Sequence, residues 1–293
     1  MKKPVIALGT FDGVHLGHKK IIQSAVKFAQ KIKTTALALT FDPHPQMIVA
    51  PERGLRLLTI LEERVELIRK LGINKILPIH FDRQIQRLSG EEFVRKFLVN
   101  RFKAQRVCVG FDYAFGKGRT GHIGKLKRLS EIYGFKVSVI SPVAVDSLIV
   151  KSSTIRKLLS FGHLEKANRF LGYSYLITGK VIKGSGRGKS LGFPTANLKV
   201  PRHKLLPAHG VYAGKAVLRR RKYHCLINIG ARPTFGGQVV AVETHILNFK
   251  KDILGQKIRL ELMKRLRAEK QFSDVLDLTR QIKKDIARAR RLW

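Results

Sequence analysis

Two imidazoles set three residues apart mark the first place where this chain could do chemistry. They are His15 and His18, in Gly9-Thr10-Phe11-Asp12-Gly13-Val14-His15-Leu16-Gly17-His18. An apolar run, Val5 to Leu8, comes before them, and a helical pattern from about His18 to Lys31 follows. Imidazoles at a strand–helix turn sit beside the free N–H groups and positive dipole of a helix N-terminus, where phosphate binds. Gly17 leaves room for that phosphate, while Gly9 and Gly13 loosen the turn. Both rings can donate hydrogen bonds to a phosphoryl group as it gains charge in an in-line displacement. Metal binding is a poor alternative, because no third ligand has a suitable spacing.

Other segments carry phosphate-holding chemistry. Lys151-Ser152-Ser153-Thr154-Ile155-Arg156 opens a second helical pattern. Its hydroxyls (Ser152, Ser153, Thr154), its basic pair and the helix N–H groups suit a triphosphate. In isolation such a segment is an ordinary helix cap; its place after a strand favours the clamp. The loop Gly110 to Arg119 contains Asp112, Phe115 and two basic residues, Lys117 and Arg119, a set able to stack on an aromatic ring system and attract phosphate. His44, in Phe41-Asp42-Pro43-His44-Pro45, is either a turn residue or part of the same site. Further on, Gly184-Ser185-Gly186-Arg187-Gly188-Lys189-Ser190 is a glycine-rich basic loop. It is not a P-loop: position 183 is Lys where the first glycine would be needed, and Leu191-Gly192-Phe193-Pro194 blocks the required helix. Next come Thr195 and Asn197, two apart and so on one face of an extended chain, with oxygens suited to Mg²⁺ held with ATP phosphates. Glu243 falls on the polar beat of an apolar strand, either as a surface residue or as the acceptor of an attacking alcohol's proton.

Alternating elements must position these groups. Strand signals at Val5–Leu8, 36–41, 76–79, 107–109 and 137–140 are separated by helical patterns at about 18–31, 62–71, 89–102 and 125–133. Ser89-Gly90-Glu91-Glu92 reads as a capping box opening the third helix. Such alternation predicts a parallel sheet that binds ligands outside its carboxyl ends. Residues 155–171 read as short helices broken near Gly162. From Tyr175 the apolar runs are short and turn-bounded, which predicts a small antiparallel barrel, followed by a helix from about Asp274 to Arg290. The expected domains are 1–172 and 173–293.

Composition narrows the classes. The chain has 293 residues, 44% of them apolar, enough for two packed cores. Lys and Arg number 58 against 20 Asp and Glu, a net charge of +38 that attracts polyanions. There is no apolar run long enough for a transmembrane helix, and the start, Met1-Lys2-Lys3 followed by Val5–Leu8, is too short for a signal peptide. The two cysteines, Cys108 and Cys225, lie in apolar strand-like runs and read as buried thiols of a cytoplasmic protein.

Together these motifs resemble the prokaryotic bifunctional riboflavin kinase/FAD synthetase family. Gly9 to His18 resembles its G-x-F-D-G-V-H-x-G-H signature, and Gly188 to Asn197 its kinase module, with Gly210 to Ala213, Asn228 to Phe235 and Val242 to Leu247 continuing the order. The resemblance implies a Rossmann-like α/β nucleotidyltransferase domain of the H-x-G-H type plus a β-barrel kinase domain with a C-terminal helix. It implies two reactions: riboflavin plus ATP to FMN in the barrel, and FMN plus ATP to FAD and pyrophosphate in the α/β domain. His15 and His18 would stabilise adenylyl transfer. Gly9, Phe11, Gly13, Gly17, Ser152, Ser153, Thr154 and Arg156 would hold the nucleotide there, as would Gly184, Gly188 and Lys189 in the barrel. Glu243 would be the kinase base, Thr195 and Asn197 would hold Mg–ATP, and Asp112, Phe115 and Phe193 would contact flavin. One departure stands out: Lys151 occupies the place of the first serine in the family's serine-rich loop. The competing readings are a monofunctional FMN adenylyltransferase with a flavin-binding barrel, and an RNA-directed H-x-G-H protein favoured only by charge. ATP, riboflavin and FMN are the expected partners; the sequence does not fix an oligomeric state.

Overall fold

A computed structural model describes residues 2–184, 186–219, 221–234, 237–272 and 274–293, with the side chains of 187, 189, 232–234 and 237–239 outside the description. The chain divides into two compact units, Met1–Ser152 and Ser153–Trp293.

In the first unit, strands β1 (Val5–Leu8), β2 (Ala36–Asp42), β3 (Lys75–His80), β4 (Arg106–Gly110) and β5 (Lys136–Ile140) form one sheet in the order β3-β2-β1-β4-β5. All its pairings are parallel. The interleaved helices are α1 (Leu16–Lys31), α2 (Pro45–Val49), α3 (Leu61–Arg69), α4 (Arg83–Arg87), α5 (Gly90–Phe93) and α6 (Ile123–Tyr133). Both faces of the sheet are covered, which is why β1 is apolar at every position. Ile6 and Leu8 enter one core with Leu39, Phe93 and Val107. Val5 and Ala7 enter the other with Ile22, Ala25 and Cys108. Each large side chain so buried contributes about 1.5–3 kcal/mol. The strand order reverses between β1 and β4, so the loops leaving those two strands diverge and open a crevice.

The expected helix at 89–102 begins with its capping box: Ser89 Oγ accepts from Glu92 N at 3.2 Å, and Glu92 Oε2 accepts from Ser89 N at 2.7 Å. Beyond α5 it widens to π-type turns over Val94–Arg101. A short hairpin, β6 (Ala144–Val145) with β7 (Leu148–Ile149), was not legible, each arm being only two residues long.

The second unit opens with α7 (Ser152–Ser160, its first residue shared with the first unit) and α8 (Leu164–Leu171). Strands β8 (Tyr175–Ile182), β9 (Ala196–Lys199), β10 (Gly210–Leu218), β11 (Arg221–Thr234), β12 (Gly237–Ile246) and β13 (Lys257–Arg267) close into an antiparallel barrel. A single helical turn, α9 (Arg187–Ser190), precedes β9, so the glycine-rich loop does start a helix before Leu191 and Gly192 end it. The last helix, α10 (Val275–Arg290), is capped by Asp274, whose side chain accepts from Asp277 N. Its Ala289, with Ile286, Leu292 and Trp293, packs on Val211, Leu226 and Leu266 of the barrel. Cys108 and Cys225 are both buried, and burial raises their thiols to about 11 and about 12.

Two candidate active sites

The first site is the turn between β1 and α1. His15 is the N-cap of α1, its Nδ1 accepting from His18 N at 3.3 Å. The two imidazoles stack, with centroids 3.6 Å apart and planes 18° from parallel. Phe11 meets the His18 ring edge-on at 5.4 Å. Gly17 fits because a methyl group there would lie 3.2 Å from His15 Cε1 and 3.7 Å from Val150 O. The turn is strained: Phe11 and Val14 take φ of 49° and 36°, a region that costs non-glycine residues about 1–3 kcal/mol each.

What holds the strain is a bracket from 46 residues downstream. The buried Asp12 carboxylate accepts from Leu58 N (3.1 Å), Thr59 N (2.9 Å) and the Thr59 hydroxyl (3.2 Å). That hydroxyl in turn accepts from Gly13 N at 2.9 Å. Beneath lies Arg64 on α3, with no solvent exposure. Its Nη1 donates to Thr10 O, Thr40 Oγ1 and Phe41 O at 3.0, 3.1 and 2.9 Å. Burial pulls the guanidinium below its ordinary value, and the charges of Asp12 and Asp42 oppose that pull.

Several expected ligands have other duties. Phe11 is wholly buried and supports the His18 ring from within. Phe115, expected at the flavin, has its ring in the core beside Phe93 and Tyr113, and its backbone pairs with Gly121. Asp112 is exposed just past β4. Ser152 Oγ donates to Asp12 O at 2.9 Å and so ties its own segment to the histidine turn. Lys151 places its ammonium 5.7 Å from the Phe111 ring centroid. Ser153, Thr154 and Arg156 follow on α7, within the second unit. His44 is a turn residue that caps α2, its Nδ1 accepting from Gln46 N at 3.2 Å.

The second site is on the outer face of the barrel, where α10 packs against it. Antiparallel register sets Glu243 opposite Asn197 of β9 on one side and opposite Asn228 of β11 on the other. Directly opposed residues point to the same face, so one carboxylate and two amides form a row, with Thr195 and His245 two residues along their strands. A cavity of about 620 Å³ opens there, lined by Thr195, Phe193, Asn228 and Glu243 and closed below by α10. That volume suits one flavin-sized ligand. The Phe193 ring meets His245 edge-on at 5.7 Å, and His245 Nδ1 lies 2.9 Å from Pro194 O. The glycine loop lies against the Thr195–Asn197 turn. A methyl group on Gly184 would sit 2.1 Å from Asn197 Nδ2, and one on Gly188 would sit 2.5 Å from Phe193 O. The Lys189 side chain lies outside the described residues. Sequence reasoning missed Asn228, as well as Arg267 and Asp285 at the cavity wall. Those two are paired at 2.9 Å, with Asp285 also accepting from Gln281 Nε2 at 2.9 Å. The strand register could have pointed to Asn228; no local signal marked the pair.

The donors at Thr195 and Asn197 fit Mg²⁺. They are hard oxygens, and an ion held mainly by substrate phosphates needs only one or two protein ligands. Among the described residues there is no cluster of three or more His, Cys, Asp and Glu side chains that could cage a metal.

A doubly wound parallel sheet with paired histidines at its first turn, joined in one chain to a closed barrel with a carboxylate-lined pocket, defines a nucleotidyltransferase-like domain coupled to a kinase-type barrel. The family model described as FAD synthetase matches residues 1–154, and that described as riboflavin kinase matches 171–293. The chain belongs to the bifunctional riboflavin kinase/FMN adenylyltransferase family. The protein of that description from Listeria monocytogenes is 36% identical over 96% of this chain and 90% of its own length. Its counterpart from Bacillus subtilis is 34% identical over 97% and 90%. A crystal structure from Streptococcus pneumoniae, described as a macrolide-efflux protein, superposes with a TM-score of 0.89 at 28% identity, covering 99% of this chain and 94% of that one. Among the described residues of this chain, no helix is long and apolar enough to cross a membrane.

Proposed function

We propose that this chain makes FMN from riboflavin in residues 173–293 and FAD from FMN in residues 1–172, consuming one ATP at each step. The carrying observation is the coexistence of two separate side-chain groupings suited to phosphoryl chemistry, the stacked His15–His18 pair and the Glu243–Asn197–Asn228 row.

In the barrel, Glu243 accepts the proton of the riboflavin 5′-hydroxyl as that oxygen bonds to the γ-phosphorus of ATP and the bond to ADP breaks. Thr195 and Asn197 would hold Mg²⁺ with the ATP phosphates, an ion that would neutralise charge on the transferred group. Gly184, Gly188 and Lys189 form the phosphate loop. The two glycines are needed because any side chain would strike Asn197 or Phe193. Phe193 borders the flavin.

In the α/β unit, a phosphate oxygen of FMN attacks the α-phosphorus of ATP and pyrophosphate departs. His15 and His18 donate hydrogen bonds to the reacting phosphoryl group, and Gly9, Gly13 and Gly17 let the backbone approach it. Asp112 lies at the flavin side. Ser152 and Phe11 contribute by fixing the histidine turn.

The test is to incubate the purified chain with riboflavin, ATP and Mg²⁺ and resolve the flavins by chromatography. FMN followed by FAD is the expected result. Riboflavin left unchanged and added FMN left unadenylated would refute the proposal; FAD made only from added FMN would leave the monofunctional alternative.

A further inference from the structure

We infer that Arg64 is the positioning residue of the adenylyl-transfer site, setting the distance between the turn that carries the histidines and the turn that follows β2; this rests on the adenylyl-transfer role proposed for the first unit. Three observations lead there. Arg64 is wholly buried, although a guanidinium is among the costliest groups to remove from water. Its Nη1 alone serves three acceptors belonging to two loops: Thr10 O in the histidine turn, and Thr40 Oγ1 with Phe41 O at the end of β2. Thr40 Oγ1 donates in turn to Thr10 O at 2.8 Å, so the three oxygens form one cluster around a single nitrogen.

The remaining guanidinium nitrogens, Nε and Nη2, have no hydrogen-bond partner among the described residues. A core built for stability alone gains little from a cation that is two-thirds unsatisfied, because an apolar side chain of similar volume would serve. Retaining the charge makes sense if the separation of the loops is what matters. The register of parallel strands β1 and β2 ends at the Leu8–Leu39 pair, where Gly9 N still donates to Leu39 O at 3.2 Å. The Arg64 Nη1 cluster is a cross-link just past that end. Asp12 then carries the constraint forward, since its carboxylate is fixed by Leu58 and Thr59 on the segment leading into α3. Arg64 touches no reacting atom. It acts through the turn that places His15 and His18.

The experiment is single-turnover adenylylation of FMN by the full chain with ATP in saturating amount, comparing wild type, Arg64→Met and Arg64→Lys. A displaced catalytic turn is expected to lower the rate constant in Arg64→Met about 100-fold, with KM for ATP and FMN and the phosphorylation of riboflavin unchanged. Lysine presents one nitrogen with three hydrogens to the same three acceptors, so Arg64→Lys is expected to restore most of the lost rate. Amplitude separates folding from positioning. If Arg64→Met loses amplitude while its rate constant stays at the wild-type value, Arg64 merely keeps the unit folded and the inference falls. It also falls if Arg64→Met reacts at the wild-type rate, or if Arg64→Lys, folded and ATP-binding, is as slow as Arg64→Met. Failure of the wild-type chain itself to adenylate FMN would instead overturn the role on which the inference rests.

Discussion

At the residue scale, Gly17 separates stability from activity. An alanine there improves the first turn of α1 by about 0.5–1 kcal/mol, yet its methyl would press on His15 at 3.2–3.3 Å. Gly17→Ala is therefore expected to leave the unfolding transition unchanged or raised while FMN adenylylation falls about tenfold. Thermal unfolding and the adenylylation rate, measured on one sample, check both halves. Glu243 makes a converse case. Glu243→Gln keeps the size and hydrogen-bonding row but cannot take a proton, so riboflavin phosphorylation should drop by about 10²–10⁴-fold. FAD formation from supplied FMN should continue at its normal rate. Comparable loss of both activities would show that Glu243 supports the whole chain rather than the kinase chemistry alone. These residues were legible because their types are chemically loaded and their spacing is local. Asp12, Thr59 and Arg64 were not, since they act across 23 to 54 residues, largely through backbone donors and acceptors that leave no periodic mark. The packing of Phe115 against Phe93 was hidden for a related reason: an aromatic in a glycine-rich basic loop looks exposed in sequence.

At the scale of elements, the strands of the parallel sheet could be read from unbroken apolar runs, and the barrel from short turn-bounded ones. The four-residue β9 could not, because its polar Asn197 and Lys199 hide it. Yet β9 brings Asn197 into register with Glu243, and the glycine loop holds it from outside. Gly188 is the least yielding point, with a prospective methyl 2.5 Å from the backbone oxygen of Phe193 and 3.1 Å from Thr195 Oγ1. A backbone carbonyl cannot swing aside as a side chain can. Gly188→Ala should thus shift the turn that carries Thr195, raising KM for ATP in riboflavin phosphorylation and leaving FMN adenylylation untouched. Helix α10 is anchored differently, through Arg267 and the nearly buried Asp285. Asp285→Ala strands the guanidinium beside the cavity and is expected to cost about 3 kcal/mol. Trp293 is the chain's single tryptophan and lies in the α10 cluster, so its fluorescence during urea unfolding reads this directly.

At the scale of the whole molecule, the net charge of +38 belongs to neither pocket, yet it acts on both. A field of that sign concentrates anions near the surface before any specific contact forms. ATP and FMN are anionic and riboflavin is neutral, so the three substrates provide an internal comparison. Raising salt from about 0.01 M to about 0.15 M shortens the screening length from about 30 Å to about 8 Å. Over that range, KM for ATP should rise in both reactions and KM for FMN should rise in adenylylation. KM for riboflavin, and kcat in each case, should stay nearly level. A long polyanion such as heparin should then compete with ATP at low salt and lose its hold as salt rises, through counterion release rather than a dedicated site. A heparin effect that survives 0.15 M salt, or KM values for ATP that ignore salt, would mean that the basic surface is focused on a macromolecular partner instead of gathering substrate.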